Sequence, residues 1–253
     1  MKRFTLLIFH LIALNGFSQK TEILDGLAQV CTETTDQVTF KKNVLEFTSK
    51  LRASRSTSDA RFLKKAFYRT HRKFLKEYQP YSSVSQLFKT GKYDCLTATS
   101  LYSSILEVLG FDFKIIETNY HIFILAKAEG KEFLLETTDG LAGFICSEEE
   151  IVKRKLKYHT SEPSNMSNGS YSYDFLLFNE VKGSQLRGLL YFNQAVKEFN
   201  NHNWITCLTL LNQSEKIYPS PRIEEIRKFA CFNFSTSKTD FPKQASSISD
   251  SKN

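Results

Sequence analysis

The sequence predicts an α+β protein, with helices packed on a small antiparallel sheet and a helical hairpin at its C-terminal end. Three observations carry this reading. An amphipathic helical pattern and a more apolar one precede a set of strand-like runs, rather than alternating with them. A Glu129-Gly130 pair between two of those runs signals a tight antiparallel turn. Beyond Gly183 the apolar spacing returns to that of helices.

The N-terminus reads first as an address. Lys2 and Arg3 precede the apolar run from Phe4 to Leu14, and Asn15-Gly16-Phe17-Ser18-Gln19 follow it. A basic start, a short apolar stretch and a polar exit make a secretory signal peptide over residues 1–19. The competing reading is a buried N-terminal helix or strand. The run is too short for a bilayer core, which takes about 20 apolar residues, and no later segment approaches that length. The expectation is an exported protein, periplasmic or secreted, without stable membrane insertion.

Composition narrows the classes. Of 253 residues 41% are apolar, with 22 Phe, enough for a packed core. The net charge of +7 is spread out. Lys64-Lys65, the stretch from Arg69 to Lys76 and Lys153-Arg154-Lys155 are interleaved with apolar residues, as on solvated helix faces. No nucleic-acid-binding motif is present, so no nucleic-acid partner is expected. The five Cys are widely spaced with no Cys-x-x-Cys pair, so neither a metal nor a cofactor is expected. Their odd number leaves at least one thiol free in a monomer.

The core is expected over residues 20–160. Asp25 to Leu51 looks helical, and Arg55 to Asp59 breaks the pattern. Ala60 to Tyr78 reads as an amphipathic helix, with Leu63, Phe67, Phe74 and Tyr78 on one face and Pro80 as its stop. Leu101, Ile105, Val108 and Leu109 give the stripe of a second helix, from about Leu96 to the terminating Gly110. Three strands follow, at Phe113–Glu117, His121–Leu125 and Glu132–Glu136. Residues 161–182 read as a loop or linker and 183–234 as helices. The tail over 235–253 is rich in Ser, Lys and Asp and reads as disordered.

One cysteine stands apart. A thiol nucleophile needs partial exposure and a lowered pKa, which a helix N-terminus and a neighbouring imidazolium supply. Cys95 sits where Thr90-Gly91-Lys92 meets the second helix, whereas Cys207 and Cys231 fall on apolar faces of later helices. His121 opens an apolar strand downstream. With an acid from the next strand it fits a general base held by a carboxylate. Two acids compete, Glu136 and Asp139. A two-residue turn at Glu129-Gly130 sets position 121 opposite 138 and puts 136 on the face of His121; a three-residue loop reverses the choice.

The stretch from Gly91 to Gly140 resembles the transglutaminase-like core, a fold related to papain. The resemblance rests on Tyr93-Asp94-Cys95, Tyr120-His121-Ile122-Phe123 and Glu136-Thr137-Thr138-Asp139-Gly140. It implies a catalytic triad of Cys95, His121 and Glu136, with Glu in place of the family's Asp and Thr137 in place of its Pro. Such a site would attack a carboxamide or peptide carbonyl, and the thioester would pass to water or to an amine. The peptide or protein carrying that bond is the expected substrate.

From Gly188 to Pro219 the chain is similar to a tetratricopeptide repeat. Ala195, Cys207 and Ser214 take the small positions; Tyr191, Phe199, Trp204, Leu208, Leu211 and Ile217 take bulky ones, and Pro219 closes the unit. Gln194 and Glu198 depart from the pattern. A further helix is expected over Ile223–Phe232. One repeat does not bury its own face, so this one packs on the core or on a protein partner. A transglutaminase-like core followed by such helices resembles a bacterial architecture. Two functions stay open: an exported thiol hydrolase or acyltransferase, and a non-catalytic binding or scaffold protein.

Overall fold

The structure, a computed structural model, describes residues 20–160 except 32 and 56, and residues 177–249; at 159, 160 and 237–249 it describes backbone alone. The expected signal peptide over 1–19 and most of the 161–182 loop lie outside the described residues.

The helix expected over Asp25–Leu51 is two helices, α1 (Glu22–Ala28) and α2 (Thr34–Arg52). The amphipathic helix α3 covers Asp59–Phe74, opened by the Ser58 side chain, which accepts from the backbone N–H of Arg61. It stops short of Pro80. Leu75 is already extended, and Glu77–Tyr78 form a short strand, β1. Tyr78, expected on the buried face of that helix, is therefore 54% exposed. A helix not foreseen, α4 (Val84–Thr90), carries a Ser83/Gln86 capping box and ends on Gly91. It leads into β2 (Lys92–Tyr93), which pairs with β1 in parallel, Tyr78 opposite Tyr93.

The centre of the molecule is α5 (Cys95–Leu109). Asp94 caps it, accepting through Oδ1 from Thr97 N at 2.8 Å, and Gly110 ends it at φ 80°, where an L side chain would be strained. Nearly every side chain between its ends is buried, so this helix is surrounded rather than laid on a surface. Three antiparallel strands follow, β3 (Asp112–Thr118), β4 (Ile122–Ala128) and β5 (Lys131–Leu135). Glu129 and Gly130 both adopt positive φ, 53° and 74°, as a two-residue hairpin turn that follows the strands' twist requires.

Two further elements were not legible as strands: β6 (Phe144–Ile145) and β7 (Phe178–Val181). Among the described residues the main sheet has the order β6-β5-β4-β3-β7. β7 falls inside the stretch read as linker. It pairs with β3, Ile115 opposite Val181, and so ties the end of that stretch into the core.

Alternation of side chains separates two apolar layers. Ile115, Ile122, Ile124, Ala126, Phe133 and Leu135 join the main core with α5, α3 and α1. Ile116, Phe123, Leu125 and Leu134 face the other way. They meet Ile151 and Tyr158 of another unforeseen helix, α6 (Glu148–Thr160).

The C-terminal helices are α7 (Leu186–Asn200), α8 (Trp204–Glu215) and α9 (Pro221–Ser249). They are not a detached unit. The first half of α7, through Leu186, Leu189 and Leu190, belongs to the main core, while Phe192, Ala195, Cys207, Leu211, Ile223 and Ile226 form a core of their own. Small residues do allow close approach: Ser214 Oγ donates to Gly188 O at 2.8 Å, and a Cβ on Gly188 would press on Tyr218. Cys207 is buried as expected. Cys231 is exposed, because the α9 face that meets α8 carries Ile223, Ile226 and Ala230 instead. The α9 backbone continues to Ser249, through most of the segment expected to lack structure. Among the described residues no helix is long and apolar enough to cross a membrane.

Candidate active site

The ladder between β4 and β5 runs Ala128↔Lys131 to Ile124↔Leu135. This is the two-residue-turn register, and continuing it puts Glu136 on the side of the sheet that carries His121. The pair is bonded: His121 Nε2 lies 2.6 Å from Glu136 Oε2. Asp139 does other work. Its Oδ1 accepts from the backbone N–H of Leu141 and Ala142, at 3.0 and 2.8 Å, and stabilises the turn between β5 and β6. Of the two competing acids, Glu136 is the one that meets the imidazole.

Glu136 is only 4% exposed, and a carboxylate so buried needs donors on both oxygens. The second donor is Tyr158 of α6, whose OH lies 2.5 Å from Oε1. The same ring packs beside the imidazole, 5.1 Å between centroids, with Phe123 stacked 6.2 Å away on His121. Arg154, one turn back on α6, is held by Glu150, Nε to Oε1 at 2.9 Å, and its charge acts on Tyr158 and Glu136. These partners escaped the sequence reading. Their signal was present in the spacing of Glu150, Arg154 and Tyr158, four apart on one helical face.

Cys95 begins α5 at the same end of the sheet. One turn further on, Thr99 Oγ1 donates to Ile122 O at 3.3 Å and pairs with Thr137 Oγ1 at 2.9 Å. Residues 122 and 137 directly follow His121 and Glu136, so these two bonds dock the start of α5 on the strand ends that carry the pair. Because side chains alternate, Ile122 and Thr137 turn towards α5 while His121 and Glu136 turn towards α6. Cys95 thus packs with the α5 layer, while His121 and Glu136 lie on the α6 side at the same end of the sheet. The bond drawn within the trio is that of His121 with Glu136; Cys95 feels Glu136 through its charge.

The electrostatics of Cys95 are mixed. The backbone N–H groups of Cys95 and Leu96, at the start of the helix, favour the thiolate. Burial and the Asp94 charge oppose them and push the thiol up to about 12. Asp94 is itself held above the usual carboxylate range by burial, in spite of its bonds to Thr97 and Asn193. The resting thiol thus keeps its proton.

Two tyrosines and a second histidine line the other side. Tyr93 packs edge-on against Tyr78 and His71, with centroids 5.9 Å apart in both cases. Although the side chain is half exposed, partial burial and the nearby Cys95 push the Tyr78 phenol up to about 12, so it stays protonated and able to donate. Burial lowers the pKa of His71.

The C-terminal helices reach this site through α7. Asn193 Nδ2 donates to Asp94 Oδ2 at 2.7 Å, and Gln194 Nε2 donates to Tyr81 O at 3.1 Å. Tyr81 has φ 58°, a left-handed conformation that a tyrosine holds only with outside support. Gln194 departs from the repeat pattern because it bonds the core instead of packing in a repeat. Glu198, the other departure, accepts from Asn203 Nδ2 at 2.7 Å.

No family model matches the chain and no curated protein matches it. Among solved structures it is similar to menin, in a crystal structure reported to reveal the binding site for the Mixed Lineage Leukemia (MLL) protein. The identity is 14% and the TM-score 0.37, over 87% of this chain and 58% of that one. The chain thus spans less than two thirds of the menin chain, and a likeness this distant carries no argument about function.

Proposed function

We propose that the protein is an exported thiol hydrolase or acyltransferase of transglutaminase-like type, acting on peptide or amide bonds through Cys95, His121 and Glu136. The observation that carries this reading is the 2.6 Å bond between His121 and a buried Glu136, at the sheet end where Thr99 docks the start of α5. An ionised carboxylate only accepts, so Nε2 carries the proton and Nδ1 keeps its lone pair. Since the thiol is protonated at rest, its proton leaves during attack and not before it. Cys95 Sγ adds to the carbonyl carbon as the proton passes to His121 Nδ1. The C–N bond then breaks, and the departing amine takes that proton. Water or an amine next gives a proton to His121 and attacks the thioester, which returns the thiol. The N–H groups at the start of α5 supply donors for the oxyanion.

The raised Cys95 pKa favours a second reading, a non-catalytic scaffold that keeps the fold and binds a protein partner through its C-terminal helices. An activated ester separates the two. The protein is incubated with p-nitrophenyl acetate near pH 7 and the acyl group located by mass spectrometry. The enzyme reading expects acetyl-Cys95, lost in His121→Ala. Acylation confined to the exposed Cys146 and Cys231, or an adduct indifferent to His121, overturns it.

A further inference from the structure

A glutamate in the orienting position has one more rotatable bond than an aspartate, so its carboxylate needs outside help to stay aimed at an imidazole. The buried surroundings of Glu136 supply that help from a single side chain. Tyr158 donates to Oε1, which leaves Oε2 as the oxygen available to His121. Its ring meanwhile lies beside the imidazole and 5.2 Å from Phe123, and so closes the α6 side of the pair. We propose that Tyr158 is a positioning residue for the His121–Glu136 pair: its hydroxyl fixes the carboxylate, and its ring excludes water from the imidazole.

The support continues outward. Arg154 puts its charge beside the phenol, and Glu150 holds Arg154. The three side chains share one stripe of α6, so the helix delivers them as a unit. Burial and the adjacent Glu136 raise the phenol's pKa, which keeps the hydroxyl a donor throughout the range in which His121 works. The longer acid and the tyrosine are two halves of one device, since a carboxylate extended by a methylene is steadied from a helix on the far side of the sheet. This role rests on the reading of Cys95, His121 and Glu136 given above.

Tyr158→Phe tests it, because phenylalanine keeps the ring and removes only the hydroxyl. Two readouts are taken on the full chain: the pH profile of Cys95 acylation by p-nitrophenyl acetate, and the titration of His121 followed by 15N NMR. Positioning predicts a plateau rate lower by about tenfold, the order expected for one hydrogen bond to a charged group. It also predicts an acid limb and a His121 titration shifted to lower pH, as the unsteadied carboxylate holds the imidazolium less well. Arg154→Met, which spares the phenol, is expected to give a smaller loss of rate. A native rate and profile in Tyr158→Phe, with acylation abolished in His121→Ala, overturns the role of Tyr158 and leaves the proposed function standing. Acylation that survives His121→Ala sinks the proposed function instead. The NMR titration then still decides on Tyr158, and an unchanged His121 curve overturns its positioning role.

Discussion

Asn193 of α7 donates to Oδ2 of Asp94 at 2.7 Å, so a helix nearly a hundred residues downstream grips the residue that caps α5 and immediately precedes Cys95. Asp94 spends its other oxygen on Thr97. It is 3% exposed, which makes each of these bonds matter.

Asn193→Ala leaves Oδ2 buried without its donor. A loss of about 1–3 kcal/mol in unfolding free energy is expected, the cost of an unmet buried acceptor. Urea denaturation followed by circular dichroism measures it. A midpoint equal to the native one would show that the clamp is idle.

Glu136→Gln keeps the shape of the side chain and removes an acceptor. One amide has to face both the Nε2–H of His121 and the Tyr158 hydroxyl, and its NH2 group fits only one of the two roles. Acylation of Cys95 by an activated ester is expected to slow by about 100-fold or more, with the fold intact by circular dichroism.

Glu117 of β3 and Arg222 of α9 form an ion pair at 4% and 6% exposure, and Tyr218 donates to the other Glu117 oxygen. Arg222 also lies over the Phe192 ring, 4.9 Å from its centroid. Arg222→Met strands a buried carboxylate and is expected to cost about 3–5 kcal/mol, whereas the double change Glu117→Met/Arg222→Met costs clearly less than the two singles together. Additive losses in a denaturation cycle would argue against the coupling.

The raised thiols set an alkaline limit. Cys95 moves from 9.0 to about 12 and Cys207 from 9.0 to about 11, each chiefly through burial. Above pH 9 the unfolded chain releases protons that the folded chain retains, so stability falls as pH rises from about 9 towards 11–12. Thermal unfolding at pH 7 and pH 10 should show the lower midpoint at pH 10. Cys95→Ser, which does not titrate there, should narrow the gap.

Gly143 faces the carbonyl oxygens of Glu136 and Asp139, and an added Cβ would run into both. Because these are backbone atoms, they give way only if the turn moves. Gly143→Ala is expected to destabilise the protein by about 1–3 kcal/mol and to weaken acylation by shifting Glu136. A variant with native stability would mean that the turn is softer than its contacts imply.

The hairpin shows how far local signals carried. Glu129-Gly130, the runs on either side of it and Gly110 were readable because turn chemistry and period-two alternation act over a few residues. The choice between Glu136 and Asp139 stayed open at that level, because a three-residue loop would have reversed the register that the folded hairpin adopts. The helix of Ala60 to Tyr78 was drawn too long because Tyr78 fits the apolar stripe. Pairing of β1 with β2, which lies more than ten residues away, pulled it into a strand. The segments at 178–181 and 148–160 carried too little periodic contrast to be read, yet one completes the sheet and the other supplies Tyr158.

By itself the sequence determined the α+β order, the buried helix from about Leu96 that Gly110 ends, the hairpin turn at Glu129-Gly130 and the helical nature of the C-terminal part. These depend on neighbours within about ten positions, where spacing and capping chemistry decide. Only the tertiary structure decided that Glu136 is shared between His121 and Tyr158, that α7 belongs to the core and grips Asp94, and that the thiol rests protonated. Burial, long-range hydrogen bonds and the field of nearby carboxylates come from residues far apart in the chain, and no local pattern encodes them.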